Sequence, residues 1–258
     1  MRLLCLCNNW LGWQVLQWLR ERGDEVAGLV VHPAERSRYG AEIRSVVAGT
    51  NCLVLDGSRL ADPRVLEQVK DLHAEMAVSV LFAYLLRADF LRLFPLGCVN
   101  LHPALLPYNR GTYPNVWSIV EGTPAGVTVH YIDEGVDTGD IVAQKEVPVE
   151  ITDTGSSLYR KLELAGLELF QQIWPLLRQG VAPRRRQDET RATSHRFRDV
   201  DRIDEIDLEK TYRAKDLIDV LRARTFPPYP GSYFRHNGKR VFLRLELVEE
   251  PDENGKGK

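Results

Sequence analysis

What most constrains the fold of this chain is a rhythm of short, uniformly apolar runs separated by helix-like stretches. Residues 2–7 form the first such run. Asn8-Asn9 follows, then a stretch from Trp10 to Arg22 in which Trp10, Trp13, Leu16, Trp18 and Leu19 recur at roughly helical spacing and Gly23 takes the C-cap position. Val26 to Val31 and Cys52 to Leu55 are further apolar runs, Arg64 to Leu72 reads as a helix, and Met76 to Phe82 reads as a fourth strand. A strand with one wet face alternates apolar and polar residues. These interiors are apolar throughout, and they alternate with helices. Both facts predict an α/β fold with a mostly parallel sheet covered on its two faces.

The second half continues with a short strand over Gly97 to Asn100 and a short helix over Asn115 to Glu121. Ala125 to Ile132 and Ile141 to Val149 alternate, predicting two strands joined by the loop Asp133 to Asp140. Thr154-Gly155-Ser156-Ser157 opens a long amphipathic helix to about Arg178, and Gly180 ends it. Composition then shifts: Ala182 to Arg202 contains Arg184-Arg185-Arg186 and few apolar residues, which reads as a linker. Helical spacing resumes at Ala214, Leu217, Ile218 and Leu221, and Asn237-Gly238 between two β-prone runs signals a hairpin. The expected organisation is a first domain over 1–183, a linker over 184–206, a small helix-plus-hairpin α+β subdomain over 207–248 and a frayed tail over 249–258.

Composition excludes more than it assigns. Over 258 residues the net charge is -2, which argues against bulk electrostatic capture of nucleic acid or an anionic membrane. No apolar run approaches the roughly 20 residues of a spanning helix. The start, Met1 to Cys7, is too short for a signal h-region and meets Asn8-Asn9 in place of a small-residue cleavage site. The expected location is cytoplasmic. Cys5, Cys7, Cys52 and Cys98 include no C-x-x-C pair, so they read as reduced packing residues and not as a zinc site.

One line carries chemistry: Val99-Asn100-Leu101-His102-Pro103-Ala104-Leu105-Leu106-Pro107, with Asp137-Thr138-Gly139-Asp140 beginning 35 residues after His102. An amide, an imidazole and a carboxylate are what acyl transfer to an amine needs: an oxyanion donor, a proton acceptor and a group that orients the acceptor. In an open parallel sheet, ligands collect at the carboxyl ends of strands, where the strand ending near Asn100 would deliver Asn100 and His102. Taken alone, a loop histidine is most often structural, and acids with glycines most often make a turn.

The segment from Asn100 to Gly111 resembles the folate-dependent formyltransferase family, fitting its N-L-H-P-x-L-L-P-x-x-R-G at every fixed position, with Asp137 to Gly139 as the downstream D-x-G. The resemblance implies a Rossmann-like catalytic domain, 10-formyltetrahydrofolate as co-substrate, no metal, and a homodimer. It implies that Asn100 donates to the developing oxyanion, His102 takes or relays the amine proton, and Asp137 positions His102 or a bridging water. His130 matches a position that is often histidine in the family and is expected to line the site. The folate pterin would pack against Leu81, Phe82, Ala83, Tyr84, Leu85 and Leu86 and against Ile132, Asp133, Glu134, Gly135 and Val136, held largely by main-chain groups. Phe82 and Tyr84 read equally well as core.

The acceptor is approached by comparison within the family. Asn8-Asn9-Trp10-Leu11-Gly12 stands where glycinamide ribonucleotide enzymes have a glycine-rich phosphate loop. After Asp207 only 51 residues remain, fewer than the C-terminal barrel of methionyl-tRNA enzymes needs. The stretch Arg222 to Gly231 with its hairpin, and Gly111 to Trp117, resemble the sugar-nucleotide N-formyltransferases. The resemblance thus implies formylation of a nucleotide-linked amino-deoxy sugar, of the kind that feeds surface polysaccharide synthesis. Expected acceptor contacts are Asn8, Asn9, Trp10, Tyr108, Arg110, Gly111, Thr112, Tyr113, Asn115, Trp117, His130 and Tyr229. Tyr113, Trp117 and Tyr229 either stack on the nucleotide or pack in the core, and Arg110 either pairs an anion or fixes its own loop. Formylation of methionyl-tRNA or of another amine is the alternative. A catalytically idle folate or nucleotide-sugar binding module is a third reading, which the intact triad opposes.

Overall fold

The computed structural model describes residues 1–250, so residues 251–258 of the expected tail lie outside the described residues. The strands are β1 (Arg2–Cys7), β2 (Glu25–Val31), β3 (Leu53–Asp56), β4 (Met76–Val80), β5 (Cys98–His102), β6 (Arg110–Gly111), β7 (Gly126–Tyr131), β8 (Ile141–Glu146), β9 (Ser194–His195), β10 (Tyr233–His236) and β11 (Lys239–Phe242). The helices are α1 (Asn9–Glu21), α2 (Gly40–Val46), α3 (Pro63–Asp71), α4 (Ala88–Leu91), α5 (Pro114–Glu121), α6 (Gly155–Arg178), α7 (Asp201–Asp204) and α8 (Ala214–Arg224). Seven strands form one sheet in the order β3-β2-β1-β4-β5-β7-β8. It is parallel through β5, and β7 and β8 add antiparallel.

The uninterrupted apolar runs are explained by the two faces of β1. Leu3, Cys5 and Cys7 pack into the layer formed with α1 and α6, while Leu4 and Leu6 pack into the layer that holds Val65 and Val69 of α3. All four cysteines are free thiols. Helix α6 starts with a capping box, Thr154 accepting from the Ser157 amide and Ser157 accepting from the Thr154 amide, which satisfies two amides otherwise left without partners. Near its other end Trp174, fully buried, donates from Nε1 to Asp24 at 2.8 Å. Among the described residues no helix is long and apolar enough to cross a membrane.

Helix α2 has no counterpart in the sequence reading. It buries only Ile43, and one apolar position leaves no period to detect. Within the stretch expected as a linker, 184–206, the first part packs on the first unit, while Asp204, Glu205 and Ile206 bond to Arg224 and to Tyr233 and Arg235. Arg185 exchanges two backbone hydrogen bonds with Ile141, and β9 pairs in parallel with β6. The two arginines at the head of this stretch are committed: Arg184 pairs with Asp140 and lies over Tyr131, and Arg185 donates to Gln144.

Candidate active site

The site forms at the carboxyl ends of β4 and β5, where Ser79, Asn100 and His130 stand in one register across three strands. His102 is the last residue of β5, so its side chain leaves the sheet where the chain turns to Pro103. A cavity of about 450 Å³ opens there and includes Asn100, His102, His130 and Asp137 in its wall.

Asp137 stands between two imidazoles. Its Oδ2 lies 3.6 Å from His102 Nε2, and its Oδ1 lies 3.5 Å from His130 Nε2. His130 Nδ1 donates to the Tyr131 carbonyl at 2.8 Å, which in the neutral ring leaves Nε2 as an acceptor. Asn100 Nδ2 donates to that Nε2 at 3.2 Å. An amide nitrogen carries two hydrogens, so His130 fixes the Asn100 amide and leaves its second N–H for the cavity. His102 Nε2 faces two oxygens, Asp137 Oδ2 and the Asn109 carbonyl at 3.5 Å. That environment places the ring proton on Nε2 and the lone pair on Nδ1.

Burial lowers the His102 pKa below its ordinary value, with Asp137 pulling in the opposite direction and the second imidazole adding to the decrease. Burial pushes the Asp137 carboxyl up, but the two imidazoles and the Gly111 amide outweigh it and hold it well below the usual carboxylate range. The site at neutral pH therefore presents a neutral imidazole beside a carboxylate.

The loop holding Asp137 is anchored from two sides. The Gly111 amide donates to Asp137 Oδ2 at 2.9 Å. Gly111 sits at φ +90, and a Cβ there would lie 2.3 Å from the His195 carbonyl oxygen, so glycine alone fits and aims its N–H at the carboxylate. Gln187 Nε2 donates to the carbonyls of Asp137 at 2.7 Å and Gly139 at 2.8 Å. Arg110 in turn holds Gln187 Oε1 at 2.8 Å and grips Glu189 with both ends of its fork, at 2.9 and 2.7 Å. Leu81 and Asp137 have positive φ values of 54 each, strain that persists where surrounding contacts over-determine the backbone.

The structure places Leu81, Phe82, Ala83, Tyr84, Leu85, Leu86, Ile132, Asp133, Gly135 and Val136 on the cavity wall, and Glu134 outside it on the exposed side of the loop. Gly111, Thr112, Tyr113 and Asn115 also line it. A second cavity of about 840 Å³ joins the first and takes in Asn9, Trp10, Tyr113, Asn115 and Tyr229. Four expected acceptor contacts lie on neither wall. Asn8 turns its side-chain oxygen to the Arg38 amide at 2.8 Å. The Tyr108 hydroxyl accepts from Arg191 at 2.8 Å. Arg110 is spent on the Gln187 and Glu189 contacts and fixes its loop. Trp117 stacks on His195 with ring centres 4.1 Å apart, on the core side of α5.

The sequence reading missed Ser79, Arg38, Tyr159, Arg160, Gln187, Phe197 and Arg224. Phe197 reaches the first cavity from the stretch expected as a linker and packs on Tyr113. Tyr159 and Arg160 are hidden by the ordinary helical pattern of α6. Nothing local marks Gln187, whose role depends on a fold-back that periodicity does not encode.

Residues 34–173 match the formyl transferase family, and residues 199–249 match the N-formyltransferase dimerization C-terminal domain. A methionyl-tRNA formyltransferase from Halothermothrix orenii is 32% identical over 235 residues, covering 89% of this chain and 72% of that protein. A 4-N formyltransferase from Francisella tularensis superposes with a TM-score of 0.81 at 26% identity, covering 96% of this chain and 98% of that one. The formyltransferase PseJ from Anoxybacillus kamchatkensis, solved in complex with UDP-4,6-dideoxy-4-formamido-L-AltNAc and tetrahydrofolate, superposes with a TM-score of 0.57 at 25% identity, covering 84% of this chain and 94% of that one. A family match across more than half of the sequence thus meets an amide, an imidazole and a carboxylate gathered on one cavity, and the chain belongs to the formyl transferase family as an enzyme of that class.

Proposed function

We propose that this formyltransferase moves a formyl group from 10-formyltetrahydrofolate to the primary amine of a nucleotide-linked amino-deoxy sugar, acting as a homodimer. The observation that carries the acceptor is the second cavity. It joins the catalytic one and combines aromatic faces, Trp10, Tyr39 and Tyr229, with the guanidinium groups of Arg38, Arg160 and Arg224. Aromatic faces suit a base, and guanidinium groups suit a diphosphate. Arg224 is committed to Asp204 and Arg160 to Glu163, whereas Arg38 lies over the Tyr229 ring with no carboxylate partner among the described residues. Arg38 is therefore the phosphate reader. Arg38→Ala is expected to raise KM for the acceptor by about 10- to 100-fold, since charge-assisted hydrogen bonds contribute about 1.5–3 kcal/mol. Folate binding measured by titration should not change.

The folate end fits a slot between the loop over residues 81–86 and the loop over 132–136. Its walls are largely apolar, Asp133 apart, and two large apolar side chains, Leu85 and Val136, stand exposed at 71% and 50% beside it. A flat ring seated there would cover them. The 25% identical Anoxybacillus enzyme was solved with tetrahydrofolate and a UDP-linked sugar, which supports both halves of the assignment. The match of residues 199–249 to a dimerization domain, with Val241 and Phe242 exposed on the hairpin, supports the homodimer.

In this mechanism the acceptor amine forms its bond to the formyl carbon. The free N–H of Asn100 meets the oxygen as it gains charge. His102 takes the amine proton on Nδ1, and Asp137 stabilises the imidazolium that results. The bond from the formyl carbon to the folate nitrogen then breaks, and His102 returns the proton to that nitrogen.

The 32% identity to the Halothermothrix enzyme favours methionyl-tRNA as a second reading. Competition settles the choice: nucleoside-diphosphate amino sugars, methionyl-tRNA and glycinamide ribonucleotide are offered together with labelled 10-formyltetrahydrofolate. Label is expected on the sugar. Label mainly on tRNA would overturn the acceptor assignment.

A further inference from the structure

The two cavities meet at four shared residues, Asn9, Tyr113, Asn115 and Tyr159. Any amine carried by a molecule seated in the larger cavity reaches His102 through this throat. Asn9 and Tyr113 hold left-handed backbone conformations, φ 62 and φ 57, so half of the throat is strained in place.

The hydrogen bonds of the throat are half made. Asn9 Nδ2 donates to the Tyr159 hydroxyl oxygen at 3.0 Å. This uses the phenol as an acceptor and leaves its O–H without an acceptor among the described residues. Burial and the neighbouring Glu163 push the Tyr159 pKa upward, so the O–H stays in place as a donor. Asn115 Nδ2 donates to the Gly155 carbonyl at 2.8 Å, which leaves its side-chain oxygen as a free acceptor. One donor and one acceptor therefore await a ligand at the throat. A hydroxyl group accepts from one and donates to the other.

Resting on the sugar-nucleotide reading, we propose that the throat selects a vicinal amino alcohol, with Tyr159 donating to the hydroxyl oxygen beside the reacting amine and Asn115 accepting from that hydroxyl. The pair is a specificity device. It touches neither the formyl carbon nor the proton that His102 carries, and it sets how the amine is presented.

The test compares wild type with Tyr159→Phe on two acceptors: a nucleotide-linked amino-deoxy sugar bearing a hydroxyl on the carbon next to the amine, and the same molecule lacking that hydroxyl. Wild type is expected to favour the hydroxylated acceptor by about tenfold or more in kcat/KM, carried by KM, because a site built to bind a hydroxyl rejects the analogue without it. Tyr159→Phe is expected to reduce that preference to about twofold or less, with folate affinity unchanged, because the donor is gone. A purely structural role would depress both acceptors alike and keep the ratio, which would overturn the assignment while leaving the sugar reading intact. Equal use of the two acceptors by wild type would overturn it as well. If wild type binds folate yet formylates no nucleotide-linked amino sugar, the sugar reading falls, and this proposal falls with it.

Discussion

His102→Ala is expected to lower kcat by about 10³-fold in a protein that remains folded, within the range that a positioned proton acceptor contributes. The side chain lies at the end of β5 on a cavity wall, so its removal enlarges a cavity and does not open the core. Circular dichroism and thermal melting check the fold, and single-turnover kinetics check the chemical step. Near-normal turnover in a folded variant would remove His102 from the mechanism. The same base predicts a pH profile. Because burial lowers its pKa below the ordinary 6.5, His102 remains unprotonated and active to lower pH than a free imidazole, and the acid limb of kcat should fall below that value. Asp137 pulls this pKa up, more than the Asn109 carbonyl does. In Asp137→Asn the acid limb should therefore move further down in pH while the maximal rate falls, since the imidazolium loses its counter-charge. An acid limb that moves up would contradict the arrangement.

Asn100→Ala should cost about 10²- to 10³-fold in kcat, or about 2.7–4 kcal/mol of transition-state stabilisation, the range for removing one oxyanion donor. The amide is oriented before substrate arrives, because His130 occupies one of its hydrogens at 3.2 Å and is itself tied to the Tyr131 carbonyl at 2.8 Å. Such a donor needs no reorganisation when charge develops. The effect should appear in kcat, with KM for folate little changed. A loss confined to KM would show that Asn100 binds the ground state and nothing more.

The sheet was legible because burial on both faces writes itself as unbroken apolar runs, and β1, β2 and β4 were placed within two residues. The amide, imidazole and carboxylate to which we assign the chemistry could be picked out because their spacing repeats a known pattern, and the structure gathers them on one cavity. The acceptor side was harder. Arg110 and Trp117 belong to the same recognisable stretch as the reacting residues, but a guanidinium or an indole serves packing as readily as binding, and only its partners decide. For Arg110 the partners are Gln187 and Glu189; for Trp117 the partner is His195. Those three lie on a stretch whose charge and scarcity of apolar residues mimic a linker. Tyr159 was masked for the opposite reason: on α6 it occupies an ordinary place in a regular helical pattern.

The anchoring of Asp137 ties the proposed chemistry to a part of the chain that looks dispensable. Its carboxylate takes its aim from Gly111, but its backbone is held by Gln187, 50 residues downstream, and Arg110 fastens that glutamine. A minimal catalyst cut from residues 1–183 would keep every group that handles the formyl transfer and lose the clasp that sets one of them. A swap of the C-terminal portion that begins at residue 184 would remove this support, whereas one that begins after His195 would leave Gln187, Glu189 and the β6–β9 pairing in place.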